Sequence, residues 1–258
     1  MQLQIAPLHK KLRKLRRRLR RGKGRLDEES IHRLRLLSKQ VRAEWVLWPA
    51  EKTRYKSGRQ AKKLARALAP LRDSQVLLST LEQLFAGRSD NPQVERVRRY
   101  LLSRSRQQGP SRRWVLKRLD KLEAELEPAN VAGAVQVDIV LEHSRQAELA
   151  SARLLDPLQA ETFHDWRKRV KSHLFILKRL KPDQTDELKQ TRHLAEQLGL
   201  LHDLCLLREC FDALGACSVE TDSVFQQREC EILQQVRRRG IKAGLLVSAA
   251  EGFQAAED

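Results

Sequence analysis

A chain of 258 residues with 41% hydrophobic residues can bury one sizeable core or two modest ones, which predicts a folded, soluble protein. Its 51 Lys and Arg residues exceed its 33 Asp and Glu residues, so the formal net charge is +18. This charge predicts attraction to a polyanion, either nucleic acid, an anionic membrane or polyphosphate. A basic surface that is merely solvated is the alternative.

Apolar residues recur three and four positions apart, and β-branched residues are sparse. Because this pattern is typical of helices, we predict an all-α fold. No run of 18 apolar residues could span a bilayer, and the N-terminus lacks the apolar segment of a signal peptide. We therefore expect a cytoplasmic protein.

The first 26 residues carry eleven Lys and Arg and no acid, above a leucine stripe at helical spacing. Such a helix packs into a bundle or lies on a membrane or nucleic acid, and Gly22 and Gly24 should end it. Asp27 and Ser30 can cap the next helix, which should end near Pro49. Further along, Pro70 should interrupt a helix and Gly199 should end one. The remaining helices are predicted at 51–69, 74–85, 93–107, 111–126, 131–155, 163–180 and 186–198.

The motif HxxRxxxK occurs twice, as His32, Arg35 and Lys39 and again 132 positions later as His164, Arg167 and Lys171. A second pair of segments, 64–78 and 194–208, aligns at an offset of 130 and keeps the same order. Two landmarks in nearly the same register indicate an internal duplication. We therefore predict one domain over 1–258 made of two helical repeats, 1–128 and 129–258.

On a helix the three motif positions share a strip about 60° wide, and the apolar residues lie beside that strip. Cations that border a buried face should line a seam between helices. They then repel one another unless an anion compensates them, which favours polyanion binding over a structural salt-bridge seam. Arginine offers bidentate donors to phosphate, lysine a mobile charge and histidine a titratable donor.

Other basic residues extend these stripes or lie at matching places on the helices that follow. For the basic residues on the third helix of each half, a solvated face and a binding role are equally good interpretations. The full set of candidate polyanion-binding residues is His32, Arg35, Lys39, Arg42, Arg59, Lys62, Lys63, Arg72, His164, Arg167, Lys171, Lys178, Lys189, Arg192 and His193.

Two aspartates, Asp73 and Asp203, recur in the repeat just after a predicted helix breaker. Capping of a helix is the favoured role, and orientation of a cation such as Arg35 or Arg167 is the alternative. His202 and Cys205 could ligate a metal, but two further ligands at motif spacing are missing. The four cysteines form no CxxC pair. We therefore expect no metal, no cofactor and no catalytic residue.

HxxRxxxK followed by a leucine-rich LGxxRD segment, twice in an all-helical chain, resembles the CHAD domain family. Its matching segments here are LAPLRD at 68–73 and LGLLHD at 198–203. The resemblance covers nearly the whole chain. It implies two antiparallel helical bundles related by a pseudo-two-fold axis, whose basic residues face a central cavity.

The resemblance also implies binding of inorganic polyphosphate through the His, Arg and Lys of each stripe, and localisation at polyphosphate granules. Three positions depart from the family pattern: His202 replaces an arginine, Leu174 replaces a further basic residue, and Ala69 with Pro70 replaces the glycine step. The ExExK strand of the CYTH triphosphatase found in some members is missing, so binding without catalysis is expected. A nucleic-acid-binding or adaptor protein is the alternative, and a polyphosphate phosphohydrolase is less favoured.

Overall fold

Helices account for all the regular secondary structure in the residues that the computed structural model describes, which are 6–44, 51–88, 90–106, 109–126, 137–153, 160–181, 183 and 185–242. Those ranges contain no strand, so the all-α prediction is confirmed. None of the helices in them is both long and apolar enough to cross a membrane. The helices are α1 (Ala6–Arg21), α2 (Glu28–Ala43), α3 (Glu51–Leu84), α4 (Pro92–Ser105), α5 (Arg112–Leu126), α6 (Val137–Arg153), α7 (Ala160–Leu180), α8 (Asp186–Ala213) and α9 (Val219–Lys242).

The chain divides into two compact units, each built from two stretches of sequence. Unit 1 comprises Met1–Leu78 and Arg98–Val140, and unit 2 comprises Ser79–Val97 and Leu141–Asp258. Residues 79–97 therefore belong with the second half of the chain. The division into repeats 1–128 and 129–258 stays a prediction.

In unit 1, the leucine stripe of α1 is buried where α1 packs against α2 and α5. The helix ends as predicted, and Gly24 has a φ of 69°, a conformation that favours glycine. Arg112 of α5 secures this end, and a Cβ on Gly22 would lie only 2.3 Å from its Nη1 atom. The guanidinium of Arg112 donates to the carbonyl oxygens of Leu19, Lys23, Gly24 and Arg25.

The predicted cap of α2 is confirmed. Asp27 precedes the helix in an extended conformation, and its carboxylate accepts hydrogen bonds from the backbone N–H and the hydroxyl of Ser30. Glu44 follows the last residue of α2, and the predicted end near Pro49 lies outside the described residues. The cap fixes where α2 begins and therefore the register of its cationic stripe.

The prediction that Pro70 interrupts a helix is wrong, because α3 continues through it to Leu84. Proline removes one backbone hydrogen bond and crowds the preceding turn, at a cost of about 3 kcal/mol. Leucines on both sides of it, Leu68 and Leu77 among them, are buried, and each contributes about 1.5–3 kcal/mol. Pro70 itself is exposed, and its carbonyl accepts a hydrogen bond from the Ser74 hydroxyl at 2.8 Å.

Gly199 likewise lies inside α8 rather than at its end, so that prediction is also wrong. A glycine in a helix interior costs about 1 kcal/mol, which burial of neighbouring residues such as Leu198 and Leu204 offsets. The helix predicted at 131–155 is observed from Val137 to Arg153, and positions 131–136 and 154–155 lie outside the described residues.

In unit 2, α8 packs against both α7 and α9. Its core includes three aromatic rings, Phe85, Phe211 and Phe225, whose centroids lie 5.3–5.8 Å apart. Phe211 and Phe225 are fully buried. Because such rings contribute both burial and edge-to-face contacts, they hold α9 and the segment containing Phe85 on α8.

Candidate functional site

The first cationic stripe lies on α2, where burial of Leu34 and Val41 fixes which way the helix faces. Arg35 points to α3 and its side chain is only 18% exposed. Its Nη2 atom donates to Asp73 Oδ1 at 3.1 Å, and its Nη1 atom donates to the Ala65 carbonyl at 3.4 Å. The prediction that this stripe lines a seam between helices is confirmed for Arg35.

These contacts correct the favoured interpretation of Asp73. It lies inside α3, so it cannot cap the beginning of a helix. Its carboxylate instead orients the Arg35 guanidinium. Asp73 is about half exposed, which leaves the ion pair open to water on one side.

His32 begins the same stripe and is exposed at its rim. Burial of part of the ring lowers the pKa of its imidazole, and the positive charges of Arg72 and Lys39 lower it further, while Glu29 opposes them. Arg72 of α3 and Lys39 and Arg33 of α2 are therefore near enough for their charges to act on His32. A phosphate bound here would reverse their effect, because it would supply the missing negative charge.

The other candidates of unit 1 differ in exposure. Arg72 is half-buried, whereas the other candidate cations beyond the HxxRxxxK motif on α2 and α3 are exposed. The structure therefore brings His32, Arg35 and Arg72 to the α2–α3 seam. Besides His32, the exposed candidates are Lys39, Arg42, Arg59, Lys62 and Lys63.

The second stripe lies on α7, where Trp166 and Val170 are completely buried. His164, Arg167 and Lys171 are all half-buried. The His164 ring lies against that of His202 on α8, with centroids 4.9 Å apart and planes inclined by 37°. The stripe of α7 thus faces α8.

Lys171 reaches the same neighbouring helix. A Cβ on Gly199 would lie 3.4 Å from the Lys171 Nζ atom, so the ammonium group rests close to the α8 backbone. Gly199 is buried, although from sequence it was expected only to end a helix. The LG step within LGLLHD was the only signal for it. Asp203 also lies inside α8 and caps no helix, so the favoured interpretation is wrong for both aspartates.

The outlying candidates of unit 2 again separate by exposure. Lys178 and Lys189 are exposed, and Lys189 donates to Asp186 at 3.3 Å within the first turn of α8. Arg192 and His193 are half-buried. Lys189 therefore has an acidic partner on its own helix.

A buried polar cluster behind α7 was not predicted. His173 Nδ1 lies 2.6 Å from the Ser144 hydroxyl of α6, and its Nε2 lies 3.9 Å from the Glu187 carboxylate of α8. Burial lowers the pKa of His173, and Glu187 opposes that effect. Glu148 of α6 is 2% exposed, and burial raises its pKa to about 7. The cluster joins α6 and α8 to the helix that carries the second stripe.

Within the described ranges, no three His, Cys, Asp or Glu side chains are grouped to hold a metal ion. Cys205 is half-buried, and burial raises the pKa of its thiol. A thiol with a raised pKa is a poor nucleophile at neutral pH.

One family model matches the chain, the CHAD domain, over residues 8–212. The matched region runs from α1 to the last residues of α8 and includes both cationic stripes. No curated protein and no solved structure matches the sequence.

Proposed function

The chain belongs to the CHAD domain family, and on that premise we propose that it binds inorganic polyphosphate through the stripes of α2 and α7 without catalysing a reaction. One observation carries the proposal. Each stripe contains a half-buried arginine and faces a neighbouring helix. On α2, Arg35 pairs with Asp73 of α3, and on α7, the His164 ring lies against that of His202 on α8. Cations at such a seam keep little hydration, and a chain of phosphates can replace it.

The neighbours of the two stripe histidines correspond. Arg72 is among the cations whose charge acts on His32, and the His164 ring lies against that of His202. Arg72 and His202 are themselves 130 positions apart, the offset of the second repeated landmark. This correspondence supports a duplicated binding element. The family resemblance further implies a pseudo-two-fold relation between the repeats, a basic central cavity and association with polyphosphate granules. We include these three features in the proposal.

Competition for the purified chain tests the ligand class. We expect long-chain polyphosphate to displace fluorescent duplex DNA at physiological salt, whereas nucleotides do not. A salt series is needed because low salt strengthens every polyanion contact. Stronger binding of DNA than of polyphosphate throughout the series would reject the proposed ligand.

Substitution of the two stripe arginines tests the site. We expect Arg35→Ala with Arg167→Ala to weaken polyphosphate binding at least a hundredfold, because charge-assisted hydrogen bonds to a partly desolvated anion contribute about 1.5–3 kcal/mol each. Arg113→Ala with Arg169→Ala is the matched control, since it removes the same charge from exposed positions. Equal losses in the two variants would refute the site.

The absence of catalysis is tested separately. We expect no release of orthophosphate from polyphosphate when Mg²⁺ or Mn²⁺ is added to the purified chain. Measurable release that disappears in Arg35→Ala with Arg167→Ala would make the protein a phosphohydrolase.

A further inference from the structure

The outward face of α1 carries a line of cations that the two stripes do not include. Nine Lys and Arg residues and no acid lie between Ala6 and Arg21. At about 100° per residue, Lys10, Lys14, Arg17 and Arg21 fall within about 60° of one another. That line lies about 160° away from the buried leucines, so it faces solvent, and all four residues are exposed. We refer to these four residues as the α1 line.

Ion pairs hold both flanks of α1 in place and leave the α1 line between them. On the α5 side Arg16 bonds to Glu123 and to Asp120, and on the α2 side Arg18 bonds to Asp27. Within the described residues, no hydrogen bond or ion pair involves a member of the α1 line. The α1 line is therefore a row of exposed cations on a helix whose flanks are held by ion pairs, and it has no acidic partner within the described residues.

A cleft of about 580 Å³ runs beside the line between α1 and α2. Five of its six lining residues are Lys or Arg. They include Arg33 of α2, which bonds only to Glu29 on its own helix among the described residues. Like charges at i and i+4 destabilise a helix by a few tenths of a kcal/mol, so the arrangement favours a bound anion. The cleft is lined by Lys14, Leu15, Arg17, Arg18, Arg21 and Arg33.

We propose that the α1 line and its cleft form a second polyphosphate-binding surface, which engages long chains only. The inference rests on the proposed function, since it concerns the same ligand. The α1 line spans about 16 Å along the helix, so only an extended anion contacts all of it at once. Because its cations are exposed, each contributes less than a half-buried arginine of a stripe, and the gain comes from several contacts made together.

The test compares long-chain polyphosphate with tripolyphosphate. Lys14→Gln with Arg17→Gln and Arg21→Gln should weaken binding of the long chain about tenfold at about 0.15 M salt. The steepness with which the logarithm of the binding constant falls with the logarithm of the salt concentration should also decrease by about 2. Each contact between a cation and a single-stranded polyanion releases about 0.7 of a counterion, and three contacts are removed. Tripolyphosphate affinity should change less than about twofold, because the stripes still bind it.

A matched variant separates this surface from net charge. Arg113→Gln with Lys117→Gln and Lys121→Gln removes three exposed cations from α5, where acids are interspersed, and should weaken long-chain binding less than about twofold. The charge-preserving variant Lys14→Arg with Arg17→Lys and Arg21→Lys should retain the affinity of the unchanged protein. Circular dichroism melts confirm that each variant is folded.

The outcomes distinguish the two proposals. If the unchanged protein binds no polyphosphate, the proposed function fails and the inference falls with it. If it binds long chains and the α1 and α5 variants behave alike, the inference alone is overturned. A loss of duplex DNA binding or of anionic vesicle binding in the α1 variant, with polyphosphate binding unchanged, also overturns it and assigns the surface to that other partner.

Discussion

Glu148 predicts that the protein loses stability as the pH rises. The carboxyl is 2% exposed, and burial raises its pKa from 4.5 to about 7, with Arg145 opposing the rise and Glu187 adding to it. The folded state thus binds this proton more tightly than the unfolded state does. Its stabilising effect is complete below pH 4.5 and is lost as the pH rises through about 7.

The difference between the two pKa values corresponds to about 3 kcal/mol of unfolding free energy across the whole pH range. Glu148→Gln keeps the shape and removes the titration. Its advantage in unfolding free energy over the unchanged protein should therefore be about 2–3 kcal/mol larger at pH 8.5 than at pH 5. His173 has the opposite trend, because its lowered pKa costs stability as the pH falls. Taking the difference between the two proteins at each pH cancels this shared effect.

Urea unfolding followed by circular dichroism measures both free energies. Asp138→Asn is the control, because Asp138 is exposed on the same helix and acts on neither Glu148 nor His173, so its effect should be the same at both pH values. A Glu148→Gln advantage that does not change between pH 5 and pH 8.5 would refute the reasoning. It would show that the carboxyl is hydrated or paired in the folded state.

Two further substitutions test the seams. Asp73→Asn keeps an oxygen acceptor for Arg35 but removes the negative charge beside it. Polyphosphate binding should therefore tighten about threefold, and the free energy of unfolding should fall by less than about 1 kcal/mol. Weaker binding would show that the carboxylate charge itself positions Arg35. His202→Arg places a permanent cation beside His164. Titration calorimetry should show polyphosphate binding about threefold stronger at pH 8, with a smaller gain at pH 6. His143→Arg is the control, because His143 is exposed on α6. An equal gain in affinity there would show that the effect comes from net charge alone.

Periodicity and capping chemistry predicted the parts of the fold that depend on local sequence. The leucine stripe predicted α1, and Asp27 with Ser30 predicted where α2 begins. The buried Trp166 and Val170 beside the stripe of α7 also follow from helical spacing. These features are recoverable because each depends on residues within one or two helical turns.

The misplaced helix ends have a different cause. Pro70 and Gly199 carry local costs of about 3 and 1 kcal/mol, which favour a break when neighbours along the chain are considered alone. Burial of leucines before and after each of them, such as Leu68 and Leu77 around Pro70, outweighs these costs. Burial depends on helices distant in sequence, so it could not be predicted from the local pattern.

The partners of the site residues were hidden for the same reason. Arg35 and Asp73 are 38 positions apart, and the repeat indicated that both matter without showing that they touch. The cluster of Ser144, His173 and Glu148 left no trace in the periodicity, because two of its members are ionisable side chains at buried positions. Such pairings emerge only when the helices are packed.

The seams also change the meaning of His202. From sequence it is a departure that removes an arginine from the family pattern, yet its ring lies against His164 just as Arg72 lies near His32. The substitution therefore keeps the neighbour and changes its chemistry. A guanidinium stays charged at every physiological pH, whereas an imidazole changes its charge within that range. We infer that a larger share of the attraction for the proposed phosphate ligand varies with pH at the α7–α8 seam, which pairs two imidazoles, than at the α2–α3 seam, where a guanidinium lies near a single imidazole.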